Sequence, residues 1–347
     1  MSAPVLEAPT VRTGHRSRRR RGIVVTTALG AFAFALFVLT MMVGSYVLAP
    51  WDVIASVFHL SADPAVDFIV HELRLPVAVT AVAVGLALGL SGHVFQTLLS
   101  NQLASPDFVG VSSGASLFAI SSIILFGVSG LAVPGAALLG ALASAALIYV
   151  LAWRRGISGY RFILIGIGVS QLMSSIVGYV IARSDIYEAR QAMVWLVGSI
   201  GQAGPAELGV LLVALVILVP VALALQRPLK ALELGDDAAK ALGTRVETSR
   251  LALLAVSVAL IAFATAAAGP IMFVALIAGP IARRLYGSAP GGMLAAGFAG
   301  AVLALASDLV AQHVLPVALP TGVITGAVGA PYLIWLLITT NREGRGG

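Results

Sequence analysis

LALLAVSVALIAFATAAAGPIMFVALIAGPIA, residues 251–282, runs for 32 positions without a charged side chain. About 20 apolar residues in a helix cross the hydrocarbon core of a bilayer, so this stretch is too long for one crossing. The Gly269-Pro270 pair divides it. Proline lacks the amide hydrogen that a continuing helix needs, and the residue before a proline is pushed out of helical geometry. The sequence predicts two spanning helices that meet at that pair, the second starting at Ile271.

Outward from there the same reading gives eight more apolar segments: residues 23–49, 75–95, 108–130, 131–153, 162–182 and 208–225 before it, and 293–311 and 314–338 after it. Composition points the same way. Of 347 residues, 59% are hydrophobic and 10% charged, and mean hydropathy is +1.01. A water-soluble chain of this length needs far more charge to cover its surface. The fold class is therefore all-α, a polytopic membrane protein of about ten transmembrane helices. Many of the 37 glycines lie inside the apolar runs, where small residues let spanning helices approach closely. The absence of cysteine excludes disulfides and thiolate metal sites.

Charge sets the orientation. Basic residues collect in the loops on the cytoplasmic side of a membrane. With the N-terminus inside and alternation through ten helices, 18 of the 21 basic residues fall inside, among them Arg154, Arg155, Arg161, Arg283 and Arg284. Only Arg74, Arg183 and Arg190 fall outside. Both termini are thus expected in the cytoplasm. A basic tail (1–22) precedes a transmembrane domain (23–340), and a short tail (341–347) follows. The run after the first 22 residues is too long for the apolar part of a signal peptide. The net charge of +6 is read as this orientation signal, with no nucleic acid as partner.

Two stretches outside the membrane stand out. Residues 183–206 lie outside and hold QAMVWLVGSIG, too short to span, which predicts an interfacial or re-entrant helix. Residues 226–250, QRPLKALELGDDAAKALGTRVETSR, lie inside. There a turn over 229–232 is broken by Gly235. Asp236 or Asp237 can cap a second short helix over 238–242, and Gly243 ends it. A small-faced helix pair suits docking into a groove on another protein; an ordinary connecting loop reads the same way.

Arg74, in RLP at the outer end of the second segment, suits a carboxylate on an outside partner or an interfacial anchor. Gly110 and Gly114 offer a helix-packing face. Ionisable groups within a membrane are functional suspects because they are costly there, and Asp308 is the clearest. It suits either transport or a bond to a helix N-terminus. Gln171, Ser174 and Ser175 share one helix face and would either line a path or bond neighbouring helices. His93 and His313 read as hydrogen-bonded packing residues, and His59 and His71 as too far apart for a metal site. No paired carboxylates, nucleophile elbow or zinc-binding helix occurs. The two lysines follow Leu229 and Ala239, so no P-loop exists. The chain is expected to be no enzyme and to bind no cofactor or metal.

The pieces RLPVAVTAVAVGLALGLSGHVFQTLLSNQLASPDFVGVSSGA, WLVGSIG, LELGDDAAKALG, AGPIMFVALI and PTGVITGAVGAPYLIWLL together resemble the iron-siderophore and cobalamin ABC importer permeases, the FecCD family. The resemblance covers residues 23–340 and looks most like its ferric-enterobactin branch. It implies a type II importer permease that pairs with a second, homologous permease, a different chain or a second copy. It also implies two ATP-binding subunits docking inside, which use ATP, and a periplasmic or lipoprotein siderophore-binding protein docking outside. Carried onto this chain, the coupling element is Leu232, Gly235, Asp236, Asp237, Ala238, Ala239, Leu242 and Gly243. The outer docking residues would be Arg74 with Arg183 or Arg190. The implied cargo is a ferric siderophore of catecholate type, with cobalamin or heme as alternatives. An ion-coupled secondary transporter is the rival from another class. The chain departs from the family pattern where Val77, Gln102, Gly279-Pro280 and Gln312 stand, Pro280 taking the place of a family histidine.

Overall fold

The computed structural model describes residues 11–44, 46–60, 63–107, 110–153, 159–287 and 292–343. Phe108, Arg154 and Arg155 lie outside the described residues, as do the first ten residues of the N-terminal tail and the last four residues. Among the described residues the chain is helical, with fifteen α-helices: α1 Val11–Met42, α2 Pro50–Val57, α3 Pro64–Phe68, α4 Leu75–Leu98, α5 Val111–Phe126, α6 Ala132–Ala152, α7 Gly159–Ala182, α8 Ile186–Val197, α9 Pro205–Ala224, α10 Gln226–Leu232, α11 Asp236–Ala241, α12 Val246–Ala268, α13 Val274–Tyr286, α14 Met293–His313 and α15 Thr321–Glu343. A π-helical turn, Ile69–Arg74, feeds α4, and a 3-10 turn, Ile200–Gln202, follows α8. Seven helical stretches are long and apolar enough to cross a membrane, and α5 and α15 contribute shorter apolar helices.

A helix stands at each of the ten predicted segments, but several ends move. The first stops at Met42 instead of 49, and the third is confined to Val111–Phe126. The last starts at Thr321 instead of 314; Pro316 and Pro320, which have no amide hydrogen to donate, both lie in the segment between α14 and α15. The 251–282 stretch divides at Gly269, which adopts φ 72° after α12.

α4 is the central helix, packed against α14, α12, α13 and α1. Its glycines explain why. A Cβ on Gly85 or Gly89 would overlap the backbone of Gly300, Ala301 or Ala296 in α14, and one on Gly92 would overlap the Ala275 carbonyl in α13. Backbone meets backbone along that seam, as small residues permit. Across the other side, Ser91 donates to the Ser257 carbonyl at 2.8 Å and Ser257 donates to the Ser91 carbonyl at 2.9 Å. This reciprocal clasp joins α4 to α12. α5 packs on α6 in the same glycine-dependent way through Gly114 and Gly140. By contrast, Val210, Val213, Val216 and Ile217 of α9 stay exposed, as an apolar helix facing lipid does.

Three irregular junctions meet beyond the α8 end. Ser199 donates its amide to Ala268 at 2.8 Å, and Gly322 donates to Gly198 at 3.0 Å. Gly198, Gly269 and Gly322 each lack room for a Cβ against backbone of the other segments.

Candidate functional site: a helix-lined cavity and an exposed helix pair

A cavity of about 820 Å³ opens between α5, α7, α8 and the turn at 269–273. Its two ends differ. Near the 99–107 loop it is lined by Ser105, Asp107, Ser112, Ser113, Ser116, Ser170 and Gln171. Toward α8 the lining becomes Val177, Ile181, Met193, Leu196, Met272 and Phe273. The polar end is internally bonded: the Ser113 and Ser170 hydroxyls lie 2.6 Å apart. Asp107 accepts from Ser112 at 2.9 Å and from Ser105 at 3.2 Å. Burial pushes the Asp107 carboxyl up to about 6 against the opposite pull of those two hydroxyls. Hydroxyls, the Asn101 and Gln171 amides and the hydrogen-bonded Asp107 carboxyl line one end and apolar side chains the other, with no cation among the lining residues.

The structure brings Gln171 and Ser174 of the predicted polar stripe into this cavity. Ser175 is exposed and donates to the Gln171 carbonyl at 2.8 Å. Asp308 is not with them. It is buried elsewhere, accepting from Thr321 at 2.7 Å. Thr321 is the first residue of α15 and itself accepts from the Ile200 amide at 3.3 Å. The carboxylate bond joins Asp308 to the first residue of α15 through the Thr321 hydroxyl.

The predicted helix pair is present as α10 and α11. Gly235 takes φ 95° at the bend and stands as N-cap of α11 with no side-chain cap, so the expected carboxylate cap is not made. Asp236 instead receives Arg250 of α12 at 2.6 Å. Gly243, φ 79°, ends α11. The Thr244 amide donates to Ala239 and the Gly243 amide to Lys240, both at 2.9 Å, the double bond of a Schellman ending. Of the eight residues carried over for coupling, Leu232 and Ala239 are buried in the chain's own core. Exposed residues of the helix pair include Leu234, Gly235, Asp236, Asp237, Leu242 and Gly243, with Glu233 and Lys240 beside them. Leu234 was absent from the candidates, although its place beside Gly235 could have flagged it.

The three outer arginines divide. Arg74 donates to the Met41 carbonyl at 2.8 Å, to Met42 at 3.0 Å and to Tyr46. Its guanidinium thus closes the end of α1. Arg183 lies over the Tyr179 ring, 5.7 Å from the centroid. Arg190 is exposed and lines a recess of about 490 Å³ with Tyr187, Gln191, Trp195 and Glu207. His59 and His71, expected far apart, stack with ring centroids 4.6 Å apart, because the π-helical turn brings His71 back to the Ser56 carbonyl at 2.9 Å. Among the described residues no group of three or more His, Asp or Glu is placed to hold a metal.

One polar hub had no sequence signal. Gln96 donates to the carbonyls of Gln102 at 2.9 Å and Leu276 at 2.8 Å, and accepts from Arg283 at 2.7 Å. It ties α4, the 99–107 loop and α13 together. Gly279 leaves the space it occupies, since a Cβ there would overlap its amide oxygen. That gives the departure at Gly279 a physical reason.

Residues 32–339 match the profile of the FecCD transport family. The ferric enterobactin transport system permease protein FepG of Escherichia coli (strain K12) is 40% identical over 81% of this chain and 86% of its own length. The achromobactin transport system permease protein CbrC of Dickeya dadantii (strain 3937) is 38% identical over 88% of each chain. Among solved structures, a metal-chelate type ABC transporter in an inward-facing conformation superposes with a TM-score of 0.80 at 27% identity. It covers 91% of this chain and 99% of that one.

Proposed function

The chain belongs to the FecCD transport family and is a multi-pass protein of the cytoplasmic membrane, and from that premise we propose that it is the membrane-spanning subunit of an ATP-driven importer of ferric siderophores. The cavity between α5 and α7 is half of the pathway, and a second permease subunit supplies the other half. The observation that carries this reading is the pairing of that cavity with an exposed, bent helix pair on the 226–250 segment. With both termini inside and ten crossings, α10 and α11 face the cytoplasm, where two ATP-binding subunits dock. The sequence has no P-loop, so hydrolysis belongs to them. A siderophore-binding protein docks outside, over α8 and the Arg190 recess. The catecholate class follows from the relative named for ferric enterobactin.

The test is uptake by the complete transporter reconstituted in vesicles, offered ferric catecholate, ferric hydroxamate, cobalamin and heme. ATP-dependent uptake of a ferric chelate that survives a protonophore is expected, and Gly235→Trp should abolish it while releasing the ATPase in a pull-down. Uptake driven by an ion gradient without ATPase subunits would overturn the reading.

A further inference from the structure

α13 has 13 residues, about 20 Å of helix, against the ~30 Å of hydrocarbon that a crossing covers. The turn at 269–273 that feeds it is therefore recessed. Non-helical backbone at such depth persists only where protein covers it or a cavity borders it, and both hold here. Ile271 and Val274 are buried, while Pro270, Met272 and Phe273 border the cavity. Phe273 takes φ 68° and ψ −23°, and the Val274 amide donates back across it to the Met272 carbonyl at 3.0 Å. A bulky residue at the centre of so tight a turn is a conformation that side chains avoid and that clusters at functional sites. Its ring is seated on Gly329 of α15, where a Cβ would overlap the ring's first carbons. Met272 is 47% exposed.

From this geometry we infer that Met272 and Phe273 form the constriction at the α8 end of the cavity, and that Phe273 leaves its seat on Gly329 when the pathway opens outward. The inference rests on the cavity being the pathway. A thioether and a phenyl ring offer no polar group to water or small ions. The flexible methionine can reshape around a large solute. Motion reaches the pair through Gly198, which ends α8 and lies against the Pro270 carbonyl. A binding protein that shifts α8 thereby shifts the turn.

The chain has no cysteine, so single-cysteine variants report cleanly. In the complete transporter in vesicles with its outer face outward, Met272→Cys is reacted with a membrane-impermeant maleimide added outside. Slow labelling at rest and at least a tenfold rise during turnover with binding protein and ATP are expected. Leu131→Cys, at an exposed helix start, should label equally in every state. In Gly329→Ala, which crowds the ring out of its seat, Met272→Cys should label fast already at rest, and adding Phe273→Ala, which removes the ring from the constriction, should leave it fast. If Gly329→Ala does not give monodisperse protein, Phe273→Gly, which relieves the turn, is read in its place and should also label fast at rest. Labelling of Met272→Cys that is the same in all states would overturn the constriction. Ser174→Cys separates the two readings. Protection of Ser174→Cys by ferric catecholate alongside an indifferent Met272→Cys leaves the pathway standing and removes the constriction. No protection at Ser174→Cys removes the pathway itself.

Discussion

The guanidinium of Arg74 satisfies main-chain oxygens that the end of α1 leaves open, since the last carbonyls of any helix lack partners within it. Arg74→Ala should therefore cost stability, about 2 kcal/mol for charged hydrogen bonds of this kind, seen as a lower thermal midpoint in detergent. Arg74→Lys should recover only part, because an ammonium cannot fork to several acceptors in one plane. An unchanged midpoint with weakened binding-protein docking would return Arg74 to the outer surface. Asp107 carries a pH dependence. Its carboxyl titrates near 6 in the folded chain against an ordinary 3.8, so its contribution favours the folded state below pH 3.8 and is lost as pH rises through 6. Asp107→Asn should shrink the difference in thermal midpoint between pH 5 and pH 7.5; an unchanged difference would mean that the carboxyl is already ionised at pH 5. The sequence marked Arg74 as a position, but not its partners. The oxygens that Arg74 holds lie 28 to 33 residues earlier, in a segment read as continuing helix.

At the scale of the element, local chemistry was legible wherever glycine or proline acts through its own backbone. The break at Gly269-Pro270, the bend at Gly235 and the end at Gly243 were all readable because each depends on a φ that the neighbours do not decide. Gly235 has empty space around it, so Gly235→Ala meets no atom and should cost only the positive φ, about 1 kcal/mol. ATPase binding should weaken without being lost. Gly89 is the opposite case. Its surroundings are the backbone of α14, and Gly89→Leu should reduce folded yield sharply, an overpacking cost of about 3 kcal/mol. Similar Gly89→Leu and wild-type yields would show that the seam can part. Which glycines are packed and which are free could not be read from the chain, because helix pairing is a long-range property. The burial of Leu232 and Ala239 escaped notice for the same reason.

For the whole molecule, the excess of arginine in alternate loops makes a topology that can be checked residue by residue. Leu234→Cys should react only from the cytoplasmic side and Tyr187→Cys only from outside, both being exposed positions. The reverse pattern would invert the orientation on which the proposed function rests. The three-glycine junction also bears on how the chain is made. Gly198 and Gly269 come into register with Gly322 only once the start of α15 has been synthesised. Until then the Gly198 carbonyl lacks the amide that covers it in the finished protein, where the residue is buried. On the orientation of the proposed function, assembly in the cell therefore closes last at the outer face. A nascent chain stopped before residue 321 would hold its inner helix pair complete and its outer rim unlocked, a natural substrate for membrane quality-control proteases.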